Sequence, residues 1–166
     1  MQAILLRAIR TKDVRSVARL INSETDLSFR DEFNQDALFY SVVYYEPKIL
    51  DFILSRGIDI RATYKDKKSI LHIAVESNLE EKGQFRAIQS LVDAGAEVNA
   101  RDRFGNTPLW YACTYYVVNN QTINYLLTHG ADMYIDNKYG LNVYSSAKQN
   151  ERVELLHILD KYAKQY

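Results

Sequence analysis

One apolar anchor recurs along this chain at a nearly constant interval, and that interval leaves few folds open. Leu5, Leu38, Leu71, Leu109 and Tyr144 follow one another at spacings of 33, 33, 38 and 35 residues. A small residue stands three places after each: Ala8, Ser41, Ala74, Ala112 and Ala147. Gly57, Gly95 and Gly130 each precede the next anchor by 14 residues. One segment of constant length beside one of variable length is the pattern of a repeat that carries insertions. A unit this short cannot bury its own apolar face, whereas stacked copies can.

The stretch "DRFGNTPLWYA", residues 102–112, shows how each unit is read. Gly105 supplies the positive φ that a tight turn needs. Thr107 is a helix N-cap and Pro108 a first helical residue, where proline's missing N–H costs nothing. Leu109 and Ala112 open a first helix; Ile123, Leu126 and Leu127 mark a second, and Gly130 ends it as a left-handed cap. The matching second-helix sets are Ile49, Phe52, Ile53 and Leu54, then Ile88, Leu91 and Val92, then Leu155, Leu156 and Leu159. Two units depart from the pattern. Residues 67–71, "KKSIL", lack both the turn Gly and the Pro, and Asn142-Val143 stands where Thr107-Pro108 stands, so looser turns are expected at both places.

These residues make the chain resemble an ankyrin repeat protein. The carrying stretches are Asp102, Gly105, Thr107-Pro108-Leu109, Ala112, Leu126-Leu127 and Gly130-Ala131-Asp132, with a second copy at Leu71-His72-Ile73-Ala74 and Gly95-Ala96-Glu97-Val98-Asn99-Ala100. The resemblance implies an all-α solenoid of about five helix-turn-helix units with short β-turn fingers, in a single domain over 1–166. Its units are 1–24, 25–57, 58–95, 96–130 and 131–166, the first and last acting as caps. The cluster Arg7, Arg10, Lys12, Arg15 and Arg19 reads as the polar outer face of such a cap, the alternative being contact with an acidic or nucleic acid partner.

Composition narrows function mainly by exclusion. Lys and Arg total 21, as do Asp and Glu, so no global charge points to nucleic acid or membrane. "MQAILLRAIR" makes a poor signal peptide, no run is long enough to span a bilayer, and the single Cys113 suits a reducing compartment. A cytoplasmic, non-enzymatic protein without metal or cofactor is expected. Cys113 falls in a first helix and reads as core. His72, His129 and His157 have no metal-ligand spacing, and the resemblance gives His72 a structural bond to a neighbouring turn. Glu80-Glu81 reads as a solvated loop.

The binding reading rests on the concave face that the resemblance implies. Its fingers carry Arg30, Glu32, Phe33 and Gln35; Thr63, Lys65, Asp66 and Lys68; Arg101, Arg103, Phe104 and Asn106; and Asp136, Lys138, Tyr139 and Leu141. First-helix positions on the same face are Tyr44, Glu76, Tyr115 and Gln149. An apolar or aromatic residue beside Arg or Lys is interface composition. Candidate partner-binding residues are therefore Arg30, Phe33, Tyr44, Lys65, Lys68 and Arg101, with Arg103, Phe104, Tyr115, Lys138 and Tyr139. Six basic against three acidic finger residues point to one protein partner with an acidic face, bound by a chain monomeric on its own. Small ankyrin-like proteins resemble bacterial immunity proteins, which suggests neutralisation of a toxin. A scaffold subunit and a nucleic-acid-binding solenoid are the alternatives. Insertions at 78–87 and 115–122 lie between helices, as loop or added helix, and offer a second edge for contact.

Overall fold

The computed structural model describes residues 2–22, 25–114 and 120–163. Its helices come in consecutive pairs: α1 (Gln2–Arg10) with α2 (Val14–Leu20), α3 (Ala37–Val43) with α4 (Pro47–Ser55), and α5 (Ile70–Glu76) with α6 (Glu81–Asp93). Then follow α7 (Pro108–Thr114) with α8 (Asn120–Thr128), and α9 (Val143–Gln149) with α10 (Val153–Ala163). Several helix starts have a clear local cause. Asp13, Asp36 and Glu46 accept the amides of Ser16, Phe39 and Ile49 at 3.0, 2.9 and 3.0 Å. Thr107 accepts the amide of Trp110 at 3.2 Å, with Pro108 opening α7. Asn142 replaces that pair with a reciprocal box, accepting from the Ser145 amide while Ser145 Oγ accepts from its own.

Helices α1, α3, α5, α7 and α9 pack on one another in sequence as an inner row; α2, α4, α6, α8 and α10 form the outer row. Leu5, Leu38, Leu71 and Leu109 are buried where successive inner helices meet. The fifth anchor differs. Tyr144 is only half-buried and donates its hydroxyl to Asp160 at 2.8 Å, and the buried residue there is its neighbour Val143. A tyrosine hydroxyl needs a polar partner, so the ring stops short of the core.

Before α3, α5, α7 and α9 the backbone closes the same turn: the amides of Asp31, Tyr64, Asp102 and Asn137 donate to the carbonyls of Gln35, Lys68, Asn106 and Leu141 at 2.8–3.0 Å. The fourth residue of each turn has positive φ: Asn34 (60°), Lys67 (58°), Gly105 (82°) and Gly140 (71°). The looser turn expected at 67–71 is therefore not found. Asp66 and Lys67 enter the left-handed region without glycine, and Thr63 bridges Ser69. The insertion at 78–87 becomes helix over most of its length. Helix α6 has 13 residues against nine in α4, and Gln84 Nε2 closes the end of α5 by donating to the Val75 and Ser77 carbonyls at 2.8 and 3.0 Å. Of the 115–122 insertion, residues 115–119 lie outside the described residues.

Candidate partner-binding face

The fingers are held by side chains placed to satisfy their own backbone. Asp31 Oδ1 accepts the amides of Phe33 and Gln35 at 2.9 and 3.0 Å, and its Oδ2 accepts the Tyr40 hydroxyl at 2.5 Å. Asp102 repeats the arrangement with Phe104, Asn106 and the Tyr111 hydroxyl, at 2.8, 2.9 and 2.6 Å. Burial pushes the Tyr40 hydroxyl up to about 12, assisted by its bond to Asp31, and moves Tyr111 up in the same way. Burial alone would raise the Asp31 carboxyl. The Tyr40 hydroxyl and the two amides outweigh it and hold that group below the usual range. In the second finger Tyr64 takes the acid's place and turns its hydroxyl onto the buried Asp36, at 2.9 Å.

Neighbouring fingers are joined by polar bonds. His72 Nδ1 lies 3.1 Å from the Ser69 amide, and its Nε2 lies 3.1 Å from the Asn106 carbonyl oxygen. Nδ1 accepts from that amide, so Nε2 carries the proton and donates. Burial lowers the pKa of this ring. Asn106 Oδ1 accepts from Asn137 Nδ2 at 2.9 Å, and Asn137 Oδ1 accepts the amides of Tyr139 and Leu141. His72 thus holds the structural position implied for it.

The sequence candidates divide into two groups. Four of the six finger cations are engaged within the fold. Arg30 donates to the Thr63 carbonyl at 2.8 Å, lies 3.4 Å from Asp36, and covers the Tyr64 ring. Arg101 makes the equivalent reach to the Asp136 carbonyl at 2.7 Å. Lys68 pairs with Glu76 at 2.6 Å over the Tyr111 ring, and Arg103 pairs with Asp66 at 2.8 Å while covering Phe104. Phe104 is correspondingly half-buried. Phe33 and Tyr139, at the same finger position as Phe104, are 68% and 72% exposed. Lys65 and Lys138 are exposed and make no ion pair among the described residues. Tyr44 is half-buried, and Tyr115 lies outside the described residues.

Adjoining clefts run along the face from the second finger to α1. One of about 220 Å³ lies between the first two fingers, lined among others by Phe33, Phe39, Lys65 and Ile73. The next, about 410 Å³, shares Phe33, Gln35 and Phe39 with it. The last, about 530 Å³, shares Arg10, Tyr40 and Tyr44 with the second and adds Arg7. The sequence reads Arg10 as part of a polar outer cap face. It instead lies over the Tyr40 and Tyr44 rings at 5.8 and 5.7 Å, on the inner side. Its place at the end of α1 gives only a helical register; the tyrosines it meets are 30 and 34 residues further along the chain.

Cys113 is buried, and burial pushes its thiol up to about 12, far from a reactive thiolate. Among the described residues no His, Cys, Asp and Glu group is arranged to hold a metal, and no helix is long and apolar enough to cross a membrane.

Comparison with known proteins agrees with this architecture. The family model for ankyrin repeats (3 copies) matches residues 5–102 and 79–165. The ankyrin repeat and LEM domain-containing protein 1 homolog of Caenorhabditis elegans is 40% identical over 100 residues, 60% of this chain and 13% of that protein. Human ankyrin repeat and SOCS box protein 6 is 28% identical over 138 residues, 79% of this chain and 32% of its own length. The chain therefore spans less than a third of these two relatives. An ankyrin repeat protein of Rickettsia bellii is 31% identical over 139 residues, covering 80% of this chain and 82% of its own. By its repeat spacing, its two helical rows and these matches, the chain belongs to the ankyrin repeat family, whose members are generally non-enzymatic protein–protein interaction modules.

Proposed function

We propose that this chain binds one protein partner along the face built by its fingers and inner helices. The observation that carries the reading is the pair Phe33 and Tyr139. Both are large aromatic side chains held out in solvent by fingers whose amides are already bonded to Asp31 and Asn137. A rigid turn that presents an exposed aromatic ring loses little entropy on binding, which favours an interface. Lys65 and Lys138 stand beside them as exposed cations. The partner's acidic face is a matter for these two lysines and for the inner-helix arginines, since Arg30, Lys68 and Arg103 already have acidic neighbours.

The test is affinity capture from the native source with the wild type beside a Phe33→Ser, Tyr139→Ser double variant. Circular dichroism verifies that both fold, and mass spectrometry identifies what each retains. A stoichiometric protein lost only from the folded variant supports the reading. A hydrolase in that role would carry the toxin-neutralising function, and several proteins lost together would carry the scaffold function. Equal retention by both forms would remove this face as the binding surface.

A further inference from the structure

The face built by the fingers and inner helices is not uniform in charge. The acidic groups that line its clefts are internally engaged: both Asp31 oxygens accept hydrogen bonds, Glu76 is paired with Lys68, and Asp66 is paired with Arg103. Arg7, Arg10 and Lys65 line the same clefts and make no ion pair among the described residues. Arg10 is the central one of the three. The rings beneath it, Tyr40 and Tyr44, stack at 6.0 Å and 21° between planes. A guanidinium lying on aromatic faces keeps its N–H edges available for a carboxylate and has less freedom to lose on pairing. Beside it the 220 Å³ cleft offers Phe33, Phe39 and Ile73 as apolar walls. That volume is below the range of about 300–1,000 Å³ usual for small-molecule sites, and suits a single apolar side chain.

We propose that the trough over α1, α3 and α5 receives an acidic, apolar-anchored segment of a protein partner: its carboxylate pairs with Arg10 and its apolar side chain enters the cleft beside Phe33. This rests on the reading that the face binds protein, and adds the chemistry of what is bound. Charge complementarity selects the occupant. Among the described residues lining the trough, Glu76 and Asp66 are paired with cations, Asp31 is held by three hydrogen bonds and lies in the field of Arg10, and Arg7, Arg10 and Lys65 make no ion pair. The exposed Glu32 of the first finger is not part of the cleft linings, which are otherwise mainly aromatic and aliphatic, with Gln35 and Thr11 as uncharged polar members. A nucleic acid strand fits less well, because it calls for a continuous basic track, and here the net charge is zero and three of the finger cations are neutralised by carboxylates.

The experiment selects random dodecapeptides displayed on phage against the full chain, then measures the best synthetic peptide by fluorescence anisotropy. The expected peptides carry Asp or Glu a few residues from Phe, Leu or Trp. Replacing that acid by its amide weakens binding to the wild type about tenfold, a readout that needs no protein variant. Arg10→Glu weakens it at least as much, and a lysine in place of the peptide acid recovers affinity for Arg10→Glu alone. Phe33→Ser also weakens it. Peptides that need Phe33 but neither Arg10 nor an acid would overturn this proposal and leave the protein-binding face standing. Peptides indifferent to Arg10, Phe33 and Tyr139 together would remove both. A library with no enrichment, or a selected peptide displaced from the trough by oligouridine, would overturn the proposal alone.

Discussion

The second and third fingers reach the same closure from different residues and different backbone conformations: Asp66 and Lys67 are both left-handed in the second, and only Gly105 is in the third. The third, residues 101–106, has the acid at its base, glycine at the left-handed position and Thr107-Pro108 after it. The second, residues 63–68, has Tyr64 at its base, Lys67 at a φ of 58°, and Ser69 with His72 closing the start of the helix. Both close with the same backbone bond, at 2.9 Å in the second and 3.0 Å in the third. The comparison teaches that stacking between neighbours sets the turn, and that local side chains decide how much strain it stores.

The largest break in this comparison is expected from Asp102→Ala. It leaves two amides and the Tyr111 hydroxyl without their acceptor, so it should cost about 3 kcal/mol, read as a lower urea midpoint. Gly105→Ala comes next, at about 2 kcal/mol. Its φ is +82°, and the added Cβ would meet Arg101 Nη2 at 3.0 Å and the Lys138 amide at 3.1 Å. An unchanged midpoint for Gly105→Ala would show that the third finger tolerates what the second already bears.

A smaller effect should come through His72 and pH. Burial holds its folded pKa below the ordinary 6.5, so over the interval between the two values the unfolded chain binds a proton that the folded chain refuses. The stability is complete above about pH 6.5 and falls as the pH drops through that interval. Asp31 contributes in the same direction only lower, as pH falls below its ordinary 3.8. Melting temperatures of wild type and His72→Gln should therefore converge between neutral and mildly acidic pH. A constant gap would show that His72 does not titrate on unfolding. Smallest of all, Lys67→Gly should stabilise by about 0.5 kcal/mol, relieving a left-handed lysine at the position glycine holds in the third finger.

The repeat was legible because every copy must offer the same apolar positions to its neighbours, and Leu5, Leu38, Leu71 and Leu109 do. The helix starts were legible at Thr107-Pro108 because capping is local. The use made of the finger cations was not. Arg30 and Arg101 reach carbonyls 33 and 35 residues onward, a distance at which sequence shows only an arginine. Arg10 was hidden for the same reason, since the rings it covers belong to the next helix pair. Lys68 and Glu76 are only eight residues apart, yet one closes the finger turn and the other ends α5, and no simple periodicity marks them as partners.

The line of bonds from Ser69 through His72, Asn106 and Asn137 to Leu141 has a consequence for unfolding. Its members are joined in series, so opening one finger removes acceptors from the next, and the helix pairs from α5 to α10 should open together. No bond of that line reaches α1 or α2. Amide hydrogen exchange should accordingly divide the chain, with α5, α7 and α9 sharing one slow rate and α1 and α2 exchanging on a faster schedule of their own.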